Sequence, residues 1–209
     1  DNATKIFSVS NPIASLEFQG EAIQRTLEIL PEDKSMIGFV GGPWTLLSFA
    51  LGENKAEKVN SLEEYLWNLL DDSILPLLQE NISLQLKAGA ELVMIFDSCA
   101  HQLNKRDLSV YFSKVVNQLA KPFPEKVGYY AKDGISYDEI FTINDSLMSP
   151  FAGFGVDSNV NILEVLSKRD SGFIQGNFSE KVISQDFFKF DKALSLFLEN
   201  IASLPIEKR

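Results

Sequence analysis

Five short apolar runs in this chain break off into residues that could do chemistry. Their endings are Gly41-Gly42-Pro43, Asp97-Ser98-Cys99, Lys132-Asp133-Gly134, Asp157-Ser158 and Gln175-Gly176-Asn177, all but the first of them polar. Asp97 and Asp157 could move protons, and a pair of carboxylates is also what glycoside hydrolysis requires. Asp97-Ser98 reads equally well as a cap on the helix that follows it. The Ser98 hydroxyl could hydrogen-bond a ligand, and the Lys132 ammonium could pair with a substrate carboxylate. Cys99 and His101, two residues apart, are too few for a metal centre, and with no second cysteine in the chain no metal site is expected. His101 is the sole histidine, so proton chemistry would rest on carboxylates, lysine, tyrosine or water.

The elements that must position these residues follow from the hydrophobic pattern. The runs Ile37–Gly41, Leu92–Asp97, Val127–Lys132, Ala152–Asp157 and Gly172–Asn177 are apolar without alternation, as expected of parallel strands covered on both faces. Between them lie helix-like stretches: GEAIQRTLEILPE before the first run, and a long leucine-rich segment from Ser61 to Glu91 before the second. In that segment Ser61 and Glu64 resemble a capping box, Pro76 predicts a break or kink, and Gly89 resembles a helix stop. RDLSVYFSKVVNQLA, NVNILEVLSKRD and a closing FFKFDKALSLFLENIASL complete the alternation. Repeated strand and helix is the signature of right-handed βαβ units. It fits an open doubly wound sheet or part of an eightfold barrel, and 209 residues is short of the ~250 a whole barrel usually takes. The expectation is one domain spanning 1–209. In either architecture a ligand meets the carboxyl ends of the strands.

Composition narrows the partners. A net charge of −10 opposes binding to nucleic acid, which requires clustered Lys and Arg. No apolar run approaches the roughly 20 residues of a membrane span, and the sequence opens on no basic-then-apolar leader. A single cysteine, Cys99, fits a reducing compartment, so a cytoplasmic protein with no membrane partner is expected. The Asn-x-Ser/Thr triplets at Asn2, Asn81, Asn144 and Asn177 then read as chance.

Five stretches, taken in order, resemble the uroporphyrinogen decarboxylase family: IGFVGGPWTLLSFALGE, AGAELVMIFDSCAHQL, YYAKDG, GFGVDSNV and GFIQGNFSE. The family pattern is roughly G-F-x-G-x-P-W-T-L, F-[DE]-[ST], a lysine-bearing strand end, G-[LV]-D and Q-G-N. The likeness runs from about Gly20 onward. It implies an α/β fold that is a partial (β/α)8 barrel, about five of eight strands being present. It also implies decarboxylation of the four acetates of uroporphyrinogen to methyls, giving coproporphyrinogen for haem synthesis. No metal or organic cofactor is implied, and the family pairs as homodimers with facing clefts.

Carried over position by position, the resemblance makes Ser98 a substrate contact and Phe39 and Phe96 cleft-lining aromatics. Lys132 is the cation at a strand exit. Phe49 falls where the family usually has a tyrosine that bonds a substrate carboxylate, a loss of about 1 kcal/mol in donor strength. The family's R-Q-A-G-R and F-S-D segments and its N-L-G-H-G segment have no counterpart in the sequence. The catalytic Arg, Asp and His are therefore expected outside this chain, which is expected to be inactive alone. The alternatives are a non-catalytic binding or scaffold relative and a corrinoid-linked methyltransferase of the same superfamily. The latter requires a zinc site with a further cysteine. A glycosidase built on Asp97 and Asp157 rests on no motif.

Overall fold

The computed structural model describes residues 11–52, 64–132, 151–169 and 171–208. Helix α1 (Glu17–Leu27), entered through a 3-10 turn Pro12–Leu16, precedes strand β1 (Ile37–Gly41) and helix α2 (Pro43–Leu51). Helix α3 (Glu64–Leu69) runs through a π-helical turn Leu70–Ile74 into α4 (Leu75–Lys87). Then come β2 (Leu92–Phe96) and α5 (Lys105–Tyr111), with a second π-helical turn, Phe112–Val116, leading into α6 (Asn117–Ala120). Strands β3 (Val127–Tyr130) and β4 (Gly153–Gly155), helix α7 (Ile162–Lys168), strand β5 (Phe173–Gln175), and helices α8 (Glu180–Ile183) and α9 (Phe187–Ala202) complete the order.

The five strands form one sheet in the order β1-β2-β3-β4-β5, every pair parallel. Parallel neighbours in chain order, with helices described between β1 and β2, β2 and β3, and β4 and β5, are the arrangement of part of a (β/α)8 barrel. Strand β1 coincides with its apolar run, and the other four are shorter than theirs because the residues at the polar ends stand outside the ladder. The predicted break at Pro76 is instead a π-turn just ahead of it. Pro76 then sits in the first turn of α4, where its missing N–H is harmless. Gly89 stops α4 at φ 111°, as a helix-ending glycine should. Ser61, the proposed cap, lies outside the described residues.

The two faces of the sheet differ. Val40, Val93, Ile95, Val127, Tyr129 and Phe154 point to the helix layer and join the main core with Leu66, Leu70, Ile74, Ile82, Leu108, Phe112 and Val116. On the other, inner face the register aligns Phe39 with Met94 and Gly128, and Gly41 with Phe96, Tyr130 and Gly155. The expectation of strands covered on both sides fails at β1, where burial alternates and Ile37 and Phe39 stand exposed. Farther along, glycines make the room: a Cβ on Gly128 would lie 2.2 Å from the Met94 sulfur, and one on Gly153 2.5 Å from the Phe173 ring. Met94 and Phe173 thus fill the inner face by lying across their neighbours' backbones. No described helix is long and apolar enough to cross a membrane.

Candidate functional site

The inner face carries an aromatic row at the strand exits. Phe39 meets Phe96 edge-on with centroids 6.1 Å apart, and Phe96 meets Tyr130 in the same way at 6.1 Å. The register explains the row: Phe96 stands opposite Tyr130, and Phe39 is its diagonal neighbour on β1, within reach for large rings. Tyr130 ends the row with a polar anchor, its hydroxyl donating to Asp157 Oδ1 at 2.5 Å. Phe39 is 67% exposed, so one of its faces is free to meet a ligand. Phe49 lies on α2, the helix that follows β1. Leu46, one turn before it on α2, leans over the inner side of Gly41 to 3.1 Å from where a Cβ would sit. Phe49 itself is exposed and makes no ring contact with the row among the described residues.

Ser98 is exposed just past β2, and its carbonyl accepts from His101 Nδ1 at 2.7 Å. A carbonyl only accepts, so that ring nitrogen carries the proton. Lys132 is exposed two residues past β3. Asn177 is turned away from the row: its Nδ2 donates to the carbonyls of Asp157 and Val160, tying the β5 exit to the β4 exit. Beside it a hollow of about 390 Å³ is lined by Ser158, Asn161, Asn177, Phe178, Phe197 and Asn200 among others, with no charged side chain. Among the described residues no three His, Cys, Asp or Glu stand together in a group that could hold a metal.

Asp97 is the chief correction to the sequence reading. One residue beyond Phe96, strand alternation sends it to the helix side, where it is fully buried. Its Oδ1 accepts from the Thr45 amide at 2.9 Å and the Thr45 hydroxyl at 2.8 Å. Its Oδ2 accepts from the hydroxyls of Tyr111 and Tyr129, the latter at 3.1 Å. The Tyr111 hydroxyl in turn accepts from the Trp44 amide at 2.8 Å. Asp97 therefore caps no following helix; Asn104 does that, accepting from the Asp107 amide. Asp97 and Tyr111 instead satisfy the first-turn amides of α2, whose own cap position, Gly42, has no side chain to offer. A carboxylate so enclosed cannot serve a glycosidase cleft.

The same contact explains the glycine at position 42 in the Gly41-Gly42-Pro43 exit. Gly42 has φ −69°, so no left-handed turn is needed there. What it provides is room: a Cβ would lie 2.2 Å from the Asp97 carboxyl carbon. The close approach that this glycine allows is made by a side chain of the protein, Asp97. Burial pushes the Asp97 carboxyl pKa up, against the pull of the Tyr111, Thr45 and Tyr129 donors. Burial first and the Asp97 charge next raise Tyr111 and Tyr129 well above the usual tyrosine value, which keeps both as donors.

Tyr130 and the tyrosines around Asp97 were missed by motif reading. Period-two counting through VGYY would have assigned Tyr129 and Tyr130 to opposite faces; nothing local announced that Tyr111 crosses to α2.

Comparison with known proteins adds three findings. The family described as uroporphyrinogen decarboxylase (URO-D) matches residues 2–203. A uroporphyrinogen decarboxylase of Orientia tsutsugamushi (strain Ikeda) is 28% identical over 198 residues, 88% of this chain and 56% of that protein. One from Prochlorococcus marinus subsp. pastoris is 30% identical over 186 residues, 77% of this chain and 54% of that protein. The chain spans about half the length of the curated relatives it matches. Among solved structures, a methyltransferase from Methanosarcina mazei superposes with a TM-score of 0.61 at 17% identity, over 81% of this chain and 51% of that one. That likeness bears on the fold.

Proposed function

The chain belongs to the uroporphyrinogen decarboxylase family, and from that premise we propose that it forms the central wall of a cleft for a flat, carboxylate-bearing tetrapyrrole. In the protein as a whole, the reaction proposed is loss of CO₂ from the acetate side chains of uroporphyrinogen, each carbon keeping the electron pair and taking a proton to become a methyl. In this reading Phe39, Phe96 and Tyr130 supply the surface on which the ring lies. Ser98 and Lys132, at the exits of β2 and β3, take substrate carboxylates by hydroxyl donation and ionic pairing. Phe49 closes the rim without a donor. Asp97 touches no substrate; it holds α2 and the Ser98 loop in place from behind.

The observation that carries this reading is the aromatic row across three adjacent strand exits, inside the matched span. A ring stacked there gains area from side chains that are already placed, so little ordering cost opposes binding. The test is titration of the purified chain with uroporphyrin, the oxidised planar form, followed by porphyrin fluorescence. Saturable binding, weakened about tenfold by Phe96→Ala at unchanged fold, supports the cleft. A folded chain that does not bind, or binds equally well without Phe96, rejects it. Release of coproporphyrinogen by the whole protein under anaerobic conditions tests the reaction itself.

A further inference from the structure

Strand β1 is an edge of the described sheet, and an edge strand turns half of its backbone groups outward. The ladder fixes which half. The Met36 carbonyl accepts from Glu91, and the Gly42 amide donates to Phe96, so even-numbered positions face β2 and Phe39 faces outward. A neighbouring strand would pair with both polar groups of Phe39. In its place stands one side-chain amide from α4: Gln85 Oε1 accepts from the Phe39 N–H at 2.9 Å, and Gln85 Nε2 donates to the Phe39 C=O at 2.9 Å.

The plug is anchored from two helices. The second hydrogen on Gln85 Nε2 is shared between Asn81 Oδ1, one turn earlier on α4, and Gln19 Oε1 on α1, each 3.1 Å from the nitrogen. Gln85 is 3% exposed, so its amide has left water and the bonds to Phe39 replace those lost. Gly38 clears the way: a Cβ there would lie 2.3 Å from Gln85 Oε1. Three features of separate elements, a glycine on β1, a buried glutamine on α4 and a paired glutamine on α1, converge on one backbone unit.

We propose that Gln85 is a positioning residue for the ligand cleft: by sealing the edge of β1 at Phe39, it fixes the outermost aromatic of the row. Its ligand consequence rests on the tetrapyrrole reading above; the seal does not. The experiment is residue-resolved amide hydrogen exchange on the chain and on Gln85→Met, which keeps length and apolar volume but no amide. The Phe39 amide should exchange at least about tenfold faster in the variant while Val40, facing β2, changes little. Gln85→Glu keeps the acceptor for the Phe39 N–H but not the donor for its C=O, so it should lie between. It also serves as the test if Gln85→Met does not fold. Equal acceleration at Phe39 and Val40 would mean a packing role only, and no acceleration would mean no seal; either overturns the proposal. Uroporphyrin titration of the same proteins separates the two layers. Weaker binding in Gln85→Met alongside the exchange change supports positioning. If the wild-type chain binds no uroporphyrin, the ligand reading falls while the exchange result still decides the seal. Binding unchanged despite a loosened Phe39 overturns the positioning role.

Discussion

Phe96 and Asp97 are neighbours in sequence and belong to opposite halves of the molecule's chemistry. Phe96 faces the inner side, where rings meet at their edges and β1 leaves Phe39 open to solvent. Asp97 faces the helix side, where it accepts four hydrogen bonds from three residues, and none of its area is exposed. A one-residue step in a strand separates the aromatic inner face, proposed above as a ligand surface, from a junction closed on itself. The stability of this region should therefore depend on the outer face and its ligand affinity on the inner face, with little exchange between them.

The largest effect on the outer face is expected from Asp97→Ala. It leaves the Thr45 amide and three hydroxyls in a buried space without their acceptor, a loss on the order of 3–5 kcal/mol. Urea unfolding should find it, and a loss below about 1 kcal/mol would mean that water enters and the junction is not closed. Next in size is Gly42→Ala. Its Cβ would overlap the Asp97 carboxyl, so the loop or the carboxyl must move, at a cost of about 1–3 kcal/mol. Combined with Asp97→Ala the second cost should largely vanish, because the atoms it collides with are gone. Simple additivity in that double variant would place the Gly42 strain elsewhere.

These two positions also mark how far the sequence can be read. The order of strands and helices was legible because parallel strands are continuously apolar and helices keep their period. The placement of Phe39 and Phe96 on neighbouring strands was legible because the motifs that carry them contain the apolar runs of β1 and β2. What was hidden depends on parity and on long-range contacts. The F-D-S stretch looks like one functional unit, yet Phe96 lies on the inner face, Asp97 is an internal brace and Ser98 is exposed loop. Tyr111 reaches Trp44 across 67 residues, and Gln85 reaches Phe39 across 46. No local pattern encodes either contact. The reason for Gly42 likewise lies outside its own stretch, in the Asp97 side chain just past β2.

On the inner face the expected effects are smaller and of another kind. Phe39→Ala should lower stability by only about 0.5–1 kcal/mol, since the ring is two-thirds exposed and loses one edge contact. The same variant should weaken uroporphyrin binding severalfold, read from titration of proteins with matched unfolding midpoints. A large stability loss without an effect on binding would reverse the assignment of the two faces.

The finest test uses pH to ask whether burial or the donors govern Asp97. Its carboxyl is raised above the ordinary 3.8 by burial, with the hydrogen bonds from Tyr111, Thr45 and Tyr129 opposing. A raised value means the folded protein holds the proton more tightly than the unfolded chain does. The contribution to stability is then greatest in acid and declines as pH rises from the unfolded value through the folded one. Measured as wild type minus Asp97→Asn, which cancels the other carboxylates, the stability margin should shrink with rising pH above about 4. The slope cannot exceed about 1.4 kcal/mol per pH unit, and the donors should hold it to a fraction of that. Once Asp97 is ionised in both states the margin should level. A margin that grows with pH instead would mean that the four hydrogen bonds outweigh desolvation. The outer junction would then be a charged brace whose anion the fold was built to keep, and the contrast with the neutral aromatic face would be sharper still.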